Sequence, residues 1–542
     1  MNGSSPSLHS ELHSVWFQRV AIFLVFLLAL GVRLYWVAQK TGFHGDELTS
    51  LSIVWNGVDG KGNLMHDAHR VYSADELRHF FADETGGWSG LSQDLRALWH
   101  DNQDVPHASL YYMLLRCALT AVTHPSPEAV IWWGCALNLL FFTISFFTAA
   151  RLLCERCGRK KMWPVFALAL GYLNSIAVSN TLFLREYALA EMAIVVLAYC
   201  VLHLSDRLSD GRPLLRPLTL LGTVGAVALA LSSGYVNAFL VVLWAVWLTV
   251  RAYRYGHLRT TAIFLCTVGV LSVATCWAVY QGFFNYVLDP RIERTSEKLQ
   301  AYSFLAELWM TIKGTARLFI LRVFTPIGTV LAVVGLWLTV RHRRYHNVNI
   351  PWGMWLGLFL WVAVYMFVVP WKDERFLAPG LTLLLFFMST LLPRVLPAVA
   401  LCSLATCFNA DLISYKSRTN AIDLDVCHRL VLLGPDAEER KMAALLTAET
   451  GPRQELVIVE SQKEVIRWQS PKDSTFLLLT ATYESPHIIL LRKYDVIRSG
   501  KLNLWMNFYE LRARDTKKAR QRIGLNALRH RWLLSPMPEL PR

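Results

Sequence analysis

The chain has 542 residues, 54% of them hydrophobic and only 17% charged, with 20 tryptophans. Soluble domains carry about 25% charged residues, so composition excludes an ordinary soluble globule and points to a polytopic membrane protein. The formal charge of +14 would suit nucleic acid, but in so apolar a chain its first cause is Lys and Arg gathered in cytoplasmic loops, and nucleic acid is set aside as a partner.

A polar tail, residues 1–18, precedes the apolar run Val20 to Ala38. That run lacks a small-residue cleavage site and is expected to stay as a membrane anchor. Directly after it comes Gly42-Phe43-His44-Gly45-Asp46-Glu47-Leu48, which puts two adjacent carboxylates where a membrane helix surfaces. A carboxylate there stays hydrated and keeps its charge, as a general base requires, although charges that only end a helix have the same pattern. Residues 39–128 read as a long exported loop carrying juxtamembrane helices. Ala74 to Phe81 and Leu91 to His100 are amphipathic, and Ser109 to Thr123 is apolar but interrupted by Arg116 and shorter than the roughly 20 residues of a span.

With Ser109 to Thr123 lying in the interface, further spans are expected near Ala129 to Leu153, Trp163 to Leu184, Tyr187 to Leu204, Pro217 to Leu231, Tyr235 to Val250, Thr260 to Gln281, Ala316 to Val340, Pro351 to Val369, Phe376 to Leu392 and Val395 to Ala410. With the first, that makes about eleven transmembrane helices within residues 19–410. The basic loops Arg156 to Lys161, Arg207 to Arg216, Arg251 to Arg259 and Arg341 to Arg344 then share the cytoplasmic side. The opposite face collects Asp46 and Glu47, Arg185-Glu186, Ser232-Ser233-Gly234, the loop Asp289 to Lys313 and Lys372-Asp373-Glu374-Arg375. Residues 411–542 have soluble character. Apolar runs of strand length at Arg429 to Leu433, Glu455 to Glu460, Thr475 to Thr480 and His487 to Leu491, with a helix-like Ala437 to Thr447, predict a small exported α/β domain. The basic stretch Arg512 to Arg531 would equally suit an anionic cytoplasmic leaflet. Ten cysteines show no zinc spacing, and Cys154-Glu155-Arg156-Cys157 has no second pair to complete a site.

Several pieces, in this order, resemble the GT-C membrane glycosyltransferases that use polyprenyl-phosphate sugars, especially the protein O-mannosyltransferase and lipid A aminoarabinose transferase branch. Asp46-Glu47 resembles that family's first-loop acidic motif, and Asp104-Val105-Pro106-His107-Ala108-Ser109-Leu110-Tyr111-Tyr112 its His-Pro-Pro-Leu-Tyr-Tyr-like element, with Ala108-Ser109 where the family has two prolines. Arg185-Glu186-Tyr187-Ala188-Leu189 resembles an Arg-x-Tyr-Ala-Leu element, and Glu374-Arg375-Phe376-Leu377-Ala378-Pro379 a late Arg-Tyr-Leu-x-Pro element. The likeness spans Val20 to Leu392. It implies a GT-C-like helical fold and inverting transfer of a sugar from a polyprenyl phosphate to an acceptor glycan, lipid or protein on the periplasmic or luminal face.

Such chemistry needs a base for the acceptor proton and cations for the departing phosphate. Asp46 matches the family's acidic position and is the expected base, with Glu47 next. For the donor phosphate the candidates are Arg185, then Arg375 and Lys372, with His107 as a hydrogen-bonding group; a guanidinium can hold phosphate through two parallel bonds. Plainer roles stand beside each: an interface anchor or a Glu186 pair for Arg185, local pairing with Asp373 and Glu374 for Lys372 and Arg375, and a structural role for His107. Tyr111, Tyr112 and Tyr187 are candidates to stack on a sugar, or members of the interfacial aromatic belt, and Glu186 is a further substrate-binding candidate. Glu191 is an intramembrane carboxylate, and the loop with Arg291, Glu293, Arg294 and Lys298 is placed to close over substrate. No cofactor is required, and no ligand cluster demands a divalent metal. The rival class is a secondary transporter or lipid flippase, whose folds show internal repeats and broken helices with polar sites at mid-membrane. No repeat is visible here. The ending Pro541-Arg542 carries no endoplasmic-reticulum retention signal, and a bacterial inner membrane is the expected location.

Overall fold

The computed structural model describes residues 8–56, 71–73, 88–100, 104, 109–122, 127–157, 162–288, 304–342, 350–369, 372–416, 429–433, 455–459, 465, 475–481, 494–501 and 506–513. Two compact units divide the chain, residues 1–62 with 82–417 and residues 63–81 with 418–542.

The first unit is helical. Its helices are α1 (Leu8–Ala38), α2 (Gly45–Asn56), α3 (Trp88–His100), α4 (Leu110–Ala118), α5 (Pro127–Cys157), α6 (Trp163–Tyr172), α7 (Ser175–Leu182), α8 (Tyr187–Ser209), α9 (Pro217–Ser233), α10 (Asn237–Arg254), α11 (Leu258–Val279), α12 (Phe304–Leu318), α13 (Thr325–His342), α14 (Trp352–Val368), α15 (Glu374–Leu391) and α16 (Leu396–Thr406). Val15–Ala38, Glu128–Arg156, Tyr187–Ser209, Leu258–Val279, Leu305–His342 and Glu374–Leu391 are long and apolar enough to cross a bilayer, and the pair α6 and α7 adds a seventh if it is one bent span. The protein is therefore mostly helical with six or seven candidate spans among the described residues. The expectation of eleven also counted α9, α14 and α16, whose 17, 17 and 11 residues fall short by length, and the 18-residue α10, which is not among the candidate spans. Ser109 to Thr123 likewise yields only the nine residues of α4 and a short 3-10 turn.

Two spans depart from a straight rod, each for a local reason. The run Trp163 to Leu184 bends by 53° between α6 and α7. Asn174 at the bend accepts from the Ala177 N–H and donates to the carbonyls of Leu170 and Gly171, so one side chain serves both helix ends. Arg33 reaches in from α1 and donates to the carbonyls of Tyr172 (3.0 Å), Ala177 (3.2 Å) and Ala29 (3.1 Å) and to Thr181 Oγ1 (3.0 Å). Its guanidinium also lies over the Phe142 ring at 3.9 Å. A buried charge is costly in an apolar span unless it finds acceptors, and here the Tyr172 carbonyl at the break joins the Ala177 and Ala29 carbonyls and the Thr181 hydroxyl in supplying them. The second departure is the π-helical turn Phe319–Phe324, followed by Thr325 at φ +63°. The loop expected over Asp289 to Lys313 is already helical from Phe304 onward; its residues 289–303 lie outside the described set, Arg291, Glu293, Arg294 and Lys298 among them.

In the second unit, strands β1 (Val71–Ser73), β2 (Arg429–Leu433), β3 (Glu455–Val459), β4 (Thr475–Ala481), β5 (Tyr494–Lys501) and β6 (Met506–Ala513) form one sheet in the order β1-β3-β2-β4-β6-β5. β2 is parallel to both β3 and β4, and the other pairings are antiparallel. Leu430 to Leu433 and Leu456 to Val459 are buried at every position, as strands covered on both faces must be. Val431, Leu433, Val457, Val459 and Leu478 pack on one face with Val465, Tyr494 and Leu511. The edge strand β1 comes from the long first loop. His487 to Leu491 and Ala437 to Thr447 lie outside the described residues, and β5 and β6 carry no apolar run that sequence reading could find.

Candidate active site

The loop from Lys40 to the first turn of α2 builds one side of the site. The backbone N–H of His44 donates to Glu47 Oε2 (2.6 Å), and His44 Nδ1 accepts from the Asp46 N–H (3.1 Å). These reciprocal bonds satisfy donors that a helix start leaves open, and the two acids sit favourably at the positive end of α2. The adjacent carboxylates then diverge. Glu47 is wholly buried, accepts from Lys40 Nζ at 3.0 and 3.1 Å, and takes the Leu184 N–H at 2.9 Å; Lys40 also donates to the Tyr415 carbonyl at 2.6 Å. The expectation that Glu47 would be solvated is corrected, because its position on α2 turns it inward onto a lysine. Asp46 turns the other way, keeps 23% side-chain exposure, and pairs with Arg375 at the start of α15. His44 Nδ1 lies 3.7 Å from Asp46, and its ring meets Phe183 and Tyr415 edge-on.

The second wall is the short link between α7 and α8. Asn138 of α5 holds it by donating to the carbonyls of Thr181 (3.1 Å) and Phe183 (2.8 Å). Arg185, buried, donates from Nη1 to Asp104 Oδ2 (2.9 Å), the Tyr112 hydroxyl (2.8 Å) and Ser50 Oγ (3.3 Å), and its Nε stands 3.7 Å from Glu186. Burial pulls the Arg185 guanidinium down, but its surroundings, the carboxylates of Asp104, Glu186 and Asp46 among them, outweigh burial and hold it well above its usual range. Burial also pushes the Tyr112 phenol well above its ordinary value, so it keeps its proton and donates it to Asp104 at 2.5 Å. Replacing Tyr112 by Phe removes both bonds from a buried pair and is expected to lower stability by about 1–3 kcal/mol. Thermal unfolding in lipid nanodiscs measures this, and an unchanged midpoint would strip the hydroxyl of that role.

Asp46, Arg375, Arg185, Glu186, Tyr112 and Tyr187 thus belong to one connected set, although they lie far apart in the chain. Arg375 also stands 3.6 Å from Asp373 and over the Phe376 ring, while its neighbour Glu374 pairs with Arg322 of the π-helical turn. Arg322 further donates to the Leu412 carbonyl (3.0 Å) and Ser414 Oγ (2.9 Å). Lys372 is engaged elsewhere, on the C-terminal carbonyls of α14 at Met366, Phe367 and Val369 and on Glu307 (2.7 Å), where a cation complements the helix end. Tyr111 donates to Asn138 and Tyr187 stacks on Phe183. All three tyrosines are buried within the protein. His107 lies outside the described residues, and among those described no three His, Cys, Asp or Glu side chains gather as metal ligands.

Lys40, Asp104 and Arg322 escaped the sequence reading. Lys40 and Arg322 are cations at or inside apolar runs, a signal that could have marked Arg322 and Arg33 alike. Asp104 stands inside a motif read for its histidine.

No family model matches the chain, and no curated protein matches it. Among solved structures it is similar to ArnT from Cupriavidus metallidurans bound to undecaprenyl phosphate, with TM-score 0.46 and 9% identity over 90% of this chain and 97% of that one. It is also similar to the apo state of the same protein, with TM-score 0.41 and 10% identity over the same shares.

Proposed function

We propose that this integral membrane protein is an inverting glycosyltransferase that moves a sugar from a polyprenyl phosphate to an acceptor hydroxyl or amine, with its site on the exported face. The observation that carries this reading is the pairing of partly exposed Asp46 with Arg375, beside a cluster that centres on Arg185. An acid able to take a proton thus lies next to cations able to take a phosphate. In the reaction the acceptor oxygen or nitrogen forms the new bond to the anomeric carbon and passes its proton to Asp46. The bond from that carbon to the phosphate oxygen breaks, and its electrons leave with the polyprenyl phosphate. Phosphate oxygens compete with Asp46 for the Arg375 fork, so donor binding itself uncovers the base. Arg185, already clamped by Asp104 and Tyr112, contributes fixed positive charge. Lys372 acts through the end of α14, and Glu47 through its hold on Leu184.

Replacing Arg375 by Gln removes the fork and is expected to raise the KM for donor by about 10- to 100-fold, as loss of a charge-assisted contact predicts. Steady-state kinetics with a series of donor concentrations decides it, and an unchanged KM would remove Arg375 from the donor site.

A second reading, a transporter or lipid flippase, draws on the bent span α6 and α7 with Arg33 at its break, and on Glu191, which accepts from Asn180 (2.9 Å) and Thr382 (2.6 Å) inside the helical unit. One experiment separates the two. Purified protein in liposomes is given a labelled polyprenyl-phosphate sugar and a crude envelope extract. Labelled product in the extract supports the transferase. Movement of intact donor between leaflets without product supports the flippase and sinks the first reading.

A further inference from the structure

At the end of the helical unit opposite in sequence order to Asp46 and Arg185, two short turns meet: the one between α8 and α9, and the one between α10 and α11. Both rest on left-handed glycines, Gly211 at φ +65° and Gly256 at φ +74°, and a Cβ on Gly211 would lie 4.0 Å from His257 Nε2, which places the turns side by side. They carry Arg207, Arg212, Arg216, Arg251, Arg254 and Arg259. Asp206 is taken by both arms of the Arg156 guanidinium (2.8 and 2.5 Å), and Asp210 by Arg212 at 3.3 Å. Among the described residues no carboxylate pairs with Arg207, Arg216, Arg251, Arg254 or Arg259.

The excess charge is held in place. Arg207 is buried and donates to the Pro213 carbonyl (2.6 Å), which shapes its turn. Arg251 donates to Ser209 Oγ (2.6 Å), tying the turns together, and lies over the Trp247 and Tyr255 rings. The Nε atoms of Arg207 and Arg251 are both buried without a hydrogen-bond partner. Helices α9 and α11 start here with no acid in the first turn and no side-chain cap, but α8 and α10 end here as well, so the helix ends offset one another and the excess charge is that of the guanidiniums. Like charges gathered this way repel one another unless an anion lies among them. Leu215, Leu218, Tyr253 and Tyr255 beside them are exposed, Leu218 at 87%. Apolar and aromatic side chains at the rim of a cationic cluster suit a ligand with an acyl chain rather than a free anion.

We infer that these two turns form a binding site for the phosphate headgroup of an anionic phospholipid, separate from the site around Asp46. Arg212, Arg216 and Arg254 grip the phosphate from the open side, while buried Arg207 and partly buried Arg251 supply charge behind them. Leu215 and Leu218 lie along the acyl chains.

The test is retention of phosphatidylglycerol by the full chain, purified from nanodiscs of phosphatidylcholine with 20% phosphatidylglycerol and counted by native mass spectrometry. Each surface guanidinium counts about fivefold toward an anionic lipid, so the triple variant Arg212→Gln, Arg216→Gln, Arg254→Gln is expected to bind it about 100-fold more weakly. The variant Arg341→Gln, from another basic turn, serves as a control expected to lose no more than the about fivefold of a single surface guanidinium. Among the described residues the three replaced side chains make no side-chain hydrogen bond or ion pair beyond the exposed Asp210 pair, so an unchanged melting point is expected. Equal retention by triple variant and wild type overturns the site, as does equal loss in the control. Complete displacement of the lipid by 1 mM inorganic phosphate overturns the lipid assignment in favour of a free anion.

Discussion

Asp46→Asn is expected to lower sugar transfer by about 100- to 10,000-fold, the range that a positioned general base contributes. The substitution is nearly isosteric, and the bonds that start α2 run through the Asp46 backbone N–H and the Glu47 side chain, so the helix start survives. What goes is the carboxylate and with it the pair to Arg375. Without that competitor the guanidinium is open to donor phosphate, and the KM for donor is expected to stay level or fall while kcat collapses. This split separates a base from a structural acid, whose loss would lower the melting point and raise KM together. Single-turnover transfer from a labelled polyprenyl-phosphate sugar, alongside melting curves for both proteins, gives the comparison. Wild-type rates in the Asn variant would end Asp46's role as base.

The motifs that named Asp46, Arg185 and Arg375 were legible because each puts charge at the edge of an apolar run. Their meeting was not legible, since the Asp46 to Arg375 contact spans 329 residues and depends on helix packing. Which of two adjacent acids points outward also escaped sequence reading. It follows from Lys40 and the Leu184 N–H claiming Glu47, facts of tertiary structure. Parallel strands β2, β3 and β4 were readable as continuous apolar runs, whereas β5 and β6 alternate with charged residues such as Arg498 and Glu510, and β1 is too short to show a period. The run Trp163 to Leu184 was read as one span although Asn174-Ser175 stand at its break; Asn174 and the distant Arg33 make that break possible. A charge inside an apolar span deserved the same weight in α1 as it received at Glu191.

The largest stability effect is expected at Glu47. Its carboxylate accepts from Lys40, from the His44 N–H and from the Leu184 N–H, and both members of the Lys40 pair are fully buried. Glu47→Ala leaves the Lys40 ammonium without its counter-charge, and breaking such a pair from one side costs about 3–5 kcal/mol. Lys40→Met together with Glu47→Leu removes both charges and is expected to recover a large part of that loss, so a double-mutant cycle with Lys40→Met and Glu47→Leu as its singles, read by melting in nanodiscs, isolates the pair. The same carboxylate joins the first turn of α2, which carries Asp46, to Leu184, the residue before Arg185. Glu47 thereby sets the base and the cation in register without touching either. Glu47→Gln keeps the shape and two acceptor sites on one oxygen, so below its lowered melting point it is expected to retain transfer within about tenfold of wild type, whereas Asp46→Asn does not. Abolished transfer in Glu47→Gln with an unchanged melting point would move the base to Glu47 and make Asp46 the partner that holds Arg375.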